Sequence, residues 1–413
     1  MIAVLGLGFV GLTVALGFAE KGIEVYGVDT DEFRADLIRN GKIPYFEPGL
    51  DEALERHING NFHVVPDLDD VPDHIDCFFI CVGSPKAVDD VPDFSNIFHA
   101  VGEVLDSGFE GYYTIVVKTT LLPGTMDSII APHIESRGVK IGEDIGLAYN
   151  PNFMREGTCW HDFTYPSRIV LGITSERDRE ILARCYEGFE APLVTVSYAT
   201  AEFTRYLTST LLATMVSFSN EMAQAAKAIG GIDVAEAFRI VQMDNRWNDN
   251  TMRAYVHPGC GYGGISLPKE TNDFIKHAHA MGAQVPLLED VQAINERRAS
   301  EICDQIEAVS DRDERVGILG LAFKEGSGDV RYSASARIID ELLARDYEHI
   351  YAYDPVANDY FAAEYHQPIS YLYSVREVCD TCDVIVVATP WRQFRIVPSI
   401  ASDKKVIDCR LAF

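Results

Sequence analysis

The chain has 413 residues, 47% of them apolar, enough for two or three hydrophobic cores because single cores stop growing beyond roughly 250 to 300 residues. Its 63 acidic residues against 35 basic ones leave a formal charge of -28, with no Lys/Arg cluster to offset it, which excludes phosphate backbones and anionic membrane surfaces as partners. The surplus fits either a solvated surface or adaptation to high salt, and composition does not separate the two.

The opening "MIAVLGLGFVGL" reads as a strand and turn rather than a signal peptide, and no segment reaches the ~18 uninterrupted apolar residues of a membrane span, so a cytoplasmic protein is expected. Residues 2 to 5 form an apolar strand, "GLGFVG" follows, residues 12 to 20 are apolar at helical spacing, and "IEVYGVD" makes a second strand ending at Asp29. Strand, G-x-G-x-x-G, helix, strand and acid in this order predict a dinucleotide site. Gly6 permits the tight turn, Gly8 lets a pyrophosphate approach the helix N-terminus, Gly11 allows close helix packing, and Asp29 lies where a ribose 2′-OH is expected. Asp29, followed by "TDE", leaves no basic group for a 2′-phosphate, so NAD is expected over NADP.

Further buried parallel strands are predicted in "CFFICVGSP" (77–85), "TIVVKTT" (114–120) and "GLAYNP" (146–151). Residues 198–230 contain no proline and end in Gly-Gly, which predicts one long helix. Apolar positions on more than one of its faces suit a helix packed between domains and against a second subunit. "GCGYGGISLPKE" (259–270) then places four glycines in six positions ahead of the hydroxyl of Ser266. Such a segment is either a binding loop, where a ligand lies against main-chain N–H groups, or a flexible turn.

Towards the other end the pattern repeats. "RVGILGLAFKEG" (315–326), "IYAYDP" (350–355) and "CDVIVVATP" (382–390) echo the first strand and turn, the second strand and the "CFFICVGSP" strand. Ala322 and Glu325 replace the second and third glycines, so a pyrophosphate is not expected there in the same way. The nine cysteines are read as buried thiols, with Cys379 and Cys382 forming the one C-x-x-C, a spacing also open to zinc or redox work. The fold class is thus α/β, with two Rossmann-like doubly wound parallel-sheet domains joined by a central helical domain. Boundaries are set at 1–196, 197–310 and 311–413.

Taken together, "GLGFVGL", "YFEPGLDE", "FICVGSP", "KTTLLPGT", "NPNFMREG", "SFSNE", "GYGGISLPKE", "GLAFKEGSGDVRYSAS" and "ATPWRQF" resemble the UDP-glucose/GDP-mannose dehydrogenase family. The resemblance implies an N-terminal NAD domain, a central helical domain that forms a homodimer, and a C-terminal domain closing over a nucleotide sugar. Typical members oxidise C6 twice, through a cysteine thiohemiacetal, to a carboxylate. It implies cofactor contacts from Gly6, Gly8, Phe9, Val10, Gly11, Asp29, Arg34, Gly83, Ser84, Thr120, Glu156 and Arg331. Substrate contacts fall on Asn152, Phe153, Met154, Arg155, Arg205, Arg253, Tyr262, Gly263, Gly264 and Lys324. No metal is expected.

The chemical set departs from that pattern. The family cysteine falls at Ser266, its helix lysine and asparagine at Arg205 and Ser209, the first glutamate of its Asn-Pro-Glu motif at Asn152, and its aspartate after Pro-Lys at Glu270. Its arginine before the glycine loop falls near Asn250, with Arg253 a stand-in; Thr120 is retained. A serine hydroxyl is far less acidic than a thiol and needs an adjacent base that the loop does not supply. Ser266 is therefore read as a polar contact, Glu270 as the general base, acting directly or through a water held by Thr120, and Arg205 as an alkoxide stabiliser or a salt-bridge partner of Glu202 or Glu221. Cys260 is either a replacement thiol or a packing residue. An oxidation stopping after two electrons is expected, with a full four-electron reaction, a redox-neutral NAD enzyme and a non-catalytic binding protein as the alternatives.

Overall fold

The computed structural model describes residues 1–83, 87–88, 91–244, 255 and 257–410; for 87–88 and 91–92 it describes the backbone alone. The chain divides into two compact units, Met1–Arg205 and Tyr206–Phe413.

The first unit is built on strands β1 (Ile2–Leu5), β2 (Val25–Val28), β3 (Phe62–Val65), β4 (Cys77–Ile80), β7 (Thr114–Val117), β8 (Gly146–Tyr149), β9 (Ile169–Ile173) and β10 (Leu193–Val196). They form one sheet in the order β10-β9-β8-β7-β4-β1-β2-β3, and a two-stranded ribbon of β5 (Ala87–Val88) and β6 (Val91–Pro92) stands apart. Strands β1, β4, β7 and β8 are buried along their whole length, which is why each reads as an unbroken apolar run and not as an alternation. All pairings are parallel except β8 with β9, an antiparallel step that no motif signals.

Strand β1 lies between β2 and β4, in register Ile2 with Val25 and Ile2 with Cys77. The strand order, not the strand direction, reverses at this point, opening a crevice beyond the carboxyl ends of β1 and β4. The helix Phe9–Glu20 leaves from the β1 end and is apolar nearly all round because it is buried nearly all round. Phe18 packs its ring 5.0 Å from that of Phe79 and 5.4 Å from that of Phe163. Gly17 makes room for the latter, since a Cβ there would lie 2.1 Å from the Phe163 ring.

The second unit carries the all-parallel sheet β13-β12-β11-β14-β15, formed by Ser370–Tyr371, Ile350–Tyr353, Val316–Leu319, Val384–Val387 and Lys405–Asp408 in that order. Its centre repeats the β2-β1-β4 arrangement, as the sequence echoes predict. The turn differs: the chain leaves β11 at Gly320, whose φ is +96°, and reaches the next helix only at Ala334. The helices Val234–Gln242, Ser266–Ala280 and Pro286–Glu307 precede this sheet. A single helix, Tyr198–Ile229, runs from the end of the first unit into the second, ending one residue before the predicted limit at a Gly-Gly pair with both φ angles positive.

All nine cysteines are free and buried. Cys379 and Cys382 belong to the core of the second sheet, where a Cβ on Gly317 would lie 2.8 Å from the Cys382 sulfur. Among the described residues no group of His, Cys, Asp and Glu is placed to hold a metal ion, and no helix is long and apolar enough to cross a membrane.

Gly11 leaves no room for a side chain, because a Cβ would sit 1.7 Å from the Gly6 carbonyl oxygen. Gly11→Ala is expected to cost ~1–3 kcal/mol of stability through overpacking and to weaken NAD binding with it. Urea unfolding and calorimetry check this.

Candidate cofactor and substrate sites

The β1 turn has the geometry of an anion cradle. Gly6 holds φ at +88° directly over the Cys81 carbonyl, 3.0 Å from where a Cβ would be. A Cβ on Gly8, by contrast, would meet nothing within 4 Å, so the backbone before Phe9 and Val10 faces open space. The helix that starts at Phe9 has neither a side-chain cap nor an acidic residue in its first turn. Its first N–H groups and the positive end of its dipole are therefore available to a pyrophosphate.

At the end of β2, Asp29 is 7% exposed and accepts from Leu7 N at 2.6 Å and Asp31 N at 2.8 Å. Arg34 bonds both Asp29 oxygens, at 3.1 and 2.9 Å, and reaches Asp31 at 3.0 Å. The expectation that no basic group stands near the ribose position is thus corrected. A guanidinium is there, but two carboxylates already compensate it, so the local charge stays negative and opposes a 2′-phosphate.

Of the other expected cofactor positions, Thr120 is half-buried just beyond β7, Gly83 is exposed beyond β4, and Ser84 lies outside the described residues. Glu156 is half-buried in a turn that Glu47 fixes: this buried carboxylate, from "YFEPGLDE", accepts from Gly157 N at 2.7 Å and Cys159 N at 2.9 Å. In the same segment Asn152 caps its own turn, accepting from Met154 N at 3.0 Å, and Arg168 stacks on the Phe153 ring at 4.4 Å. Arg155 forms a two-pronged pair with Asp162, at 2.9 and 2.6 Å. Arg205 is 7% exposed on the long helix. Of the two carboxylates suggested for it, Glu202 accepts from Gly124 and Met126, and Glu221 lies 4.0 Å from Arg297.

In the second unit the glycine-rich segment is shaped by its own protein neighbours. A Cβ on Gly259 would lie 2.4 Å from Arg410, on Gly261 2.3 Å from Asn295, on Gly263 2.5 Å from the Tyr332 carbonyl, and on Gly264 3.0 Å from the Phe323 ring. Side chains from two helices then hold the loop backbone. Asn220 accepts from Gly259 N at 2.7 Å, Arg298 donates to Gly259 O at 2.6 Å, and Asn295 bonds Tyr262 through both its N–H, at 2.8 Å, and its carbonyl, at 3.1 Å. Tyr262 packs its ring with Ala213 and Val291, and burial pushes its hydroxyl up to about 12. Asn295 and Arg298 carry no motif; their signal was an Asn and an Arg three apart on the buried face of an amphipathic helix.

Ser266 opens the helix Ser266–Ala280 and is half-buried. One turn further on, Glu270 is 4% exposed and accepts a 2.5 Å hydrogen bond from Ser209, itself buried on the long helix. These are the expected catalytic positions that the unit brings into contact. Cys260 is buried in the second core, with its thiol on the Ala388 carbonyl at 3.5 Å and against Cys409, whose hydrogen bond holds it low. Arg331 is bonded to Asp329 at 2.6 Å, Lys324 lies 5.7 Å over the Phe323 ring, and Arg253 and Asn250 lie outside the described residues.

Three family models match the chain in succession: the NAD binding domain of the UDP-glucose/GDP-mannose dehydrogenase family over residues 1–190, its central domain over 199–297, and its UDP binding domain over 317–413. The chain belongs to this family. It is 32% identical to the UDP-glucose 6-dehydrogenase of Haloferax volcanii, over 95% of this chain and 92% of that one. It is 33% identical to the GDP-mannose 6-dehydrogenase of Pseudomonas putida, over 98% and 95%. Among solved structures, a UDP-glucose dehydrogenase from the archaeon Pyrobaculum islandicum superimposes with a TM-score of 0.91 at 31% identity, covering all of this chain and 94% of that one. The protein is accordingly an NAD-dependent oxidoreductase acting on a nucleotide sugar, and the β1 turn with Asp29 fits the cofactor.

Within this family member, Asn295 is the residue on which the loop most depends. Asn295→Ala leaves the backbone of Tyr262 without two buried partners, and an unfolding cost of ~2 kcal/mol or more is expected by urea titration.

Proposed function

We propose that this enzyme oxidises the C6 alcohol of a nucleotide sugar by two electrons and releases the aldehyde. The observation that carries the reading is that a serine, Ser266, stands where the family has its cysteine, one helical turn before the buried Ser209–Glu270 pair. NAD, when bound at the β1 turn, supplies the hydride acceptor. Glu270 takes the hydroxyl proton, while Ser209 keeps that carboxylate oriented. Arg205 steadies the developing alkoxide as a fixed positive charge. A second oxidation would need an adduct on the aldehyde, and a serine hydroxyl, far less acidic than a thiol, is a poor nucleophile for forming one.

We further propose a homodimer through the long helix. Leu207, Leu211, Phe218 and Met222 are 52%, 52%, 56% and 47% exposed, and their spacing sets them on one stripe. An isologous contact with a second copy would cover it.

A screen of nucleotide sugars with NAD, with products identified by mass spectrometry, is expected to give one NADH per product. Two would establish the four-electron reaction, and none a redox-neutral enzyme or a binding protein. On the substrate so found, Ser266→Ala is expected to stay within ~10-fold of the parent rate, whereas Glu270→Gln loses ~100-fold or more. An acyl-serine detected by intact mass would reverse that assignment. Light scattering at micromolar concentration is expected to show twice the 45.9 kDa chain mass.

A further inference from the structure

Glu202 is a carboxylate with 0% exposure, on the long helix one turn before Arg205. Its two oxygens accept backbone N–H groups from one loop, Gly124 at 2.7 Å and Met126 at 2.8 Å. That loop is the continuation of β7 through Thr119 and Thr120. It is tied at its start by the Thr119 hydroxyl on the Val82 carbonyl at 2.8 Å, and it turns at Gly124 with φ at +89°. Between the two ties stands Thr120. Burying a carboxylate costs several kcal/mol unless its hydrogen bonds repay it, so a chain seeking only to hold this loop has cheaper solutions in a neutral side chain.

We infer that Glu202 is a positioning residue for Thr120: it clamps the loop backbone from the long helix and so fixes the threonine hydroxyl against the bound NAD. The inference rests on the reading of Thr120 as a cofactor contact. Burial pushes Glu202 up to about 7, against the pull of the Met126 and Gly124 N–H groups, and Asp127 at the start of the following helical turn adds to the rise. The ionised form accepts two N–H groups and the protonated form has one good acceptor oxygen. The clamp therefore tightens as pH rises through about 7. Folding stability moves the other way, because a group with a raised folded pKa contributes stability that is lost as pH rises through that value. A residue with a merely structural role would shift stability alone.

The test is NAD binding by calorimetry on the full chain at pH 6 and pH 8, with hydrogen exchange of residues 121–126 followed by mass spectrometry. The parent is expected to bind NAD ~3-fold more tightly at pH 8, with slower exchange in the loop, while Glu202→Gln binds ~5- to 10-fold more weakly at pH 8 and loses the pH step. Glu202→Asp restores part of the step. Thr120→Ala should weaken NAD to a similar degree, and adding Glu202→Gln to it should cost nothing more. Parent-like binding by Glu202→Gln beside a weakened Thr120→Ala overturns the inference and leaves the Thr120 reading intact, as does strict additivity in the double variant. A silent Thr120→Ala overturns the Thr120 reading and the inference together.

Discussion

In both halves of the molecule a carboxylate at the end of the second strand of the sheet's central repeat holds the turn that follows its first strand. Asp29 accepts from Leu7 N and Asp354 from Leu321 N, at 2.6 and 2.8 Å. The turn after β1 or β11 must change direction within two residues and would otherwise leave a buried N–H without an acceptor, which costs as much as the turn's own hydrogen bonds return. Everything built on the crevice, the glycine cradle first of all, depends on this stitch. The halves then part. Asp29 shares its oxygens with Arg34 at the surface, whereas Asp354 is drawn inward by Ala322 N, Val356 N, Ala357 N and the Trp391 indole. The same carboxylate is thus shared with a surface guanidinium in one half and is an internal fastener in the other.

The glycine-rich segment shows a related economy. Four glycines are required there because Arg410, Asn295, the Tyr332 carbonyl and the Phe323 ring come within van der Waals reach of the backbone. A loop so confined presents Ser266 at a fixed point at the head of its helix, and the precision comes from protein packing around the loop rather than from stiffness within it.

Much of this was legible in the sequence for identifiable reasons. Strands buried on both faces announce themselves as apolar runs, so β1, β4, β7, β8, β11 and β14 lie inside the segments expected. The long helix was marked by the absence of proline and the Gly-Gly stop. What escaped was whatever depends on partners distant in the chain. The half-exposed strand β10 and the short β13 carry no continuous apolar signal, and β9 gives no sign that it runs antiparallel. Asn295 and Arg298 look like ordinary helix residues until the loop they hold is placed beside them. Arg34, five residues past Asp29, was expected as a family position, but its compensation by two carboxylates is visible only in three dimensions.

Nine thiols sealed inside a chain of 413 residues make the folded protein a silent target for alkylating reagents. Reaction at any of them then records an opening event, and the thiols are spread so that they report on different regions: Cys77 and Cys185, 3.6 Å apart, under the first sheet, Cys260 and Cys409 at the glycine loop, and Cys379 and Cys382 beneath the second sheet. The native sequence thereby carries a set of built-in clocks from which the order of local unfolding is readable without introducing a single label.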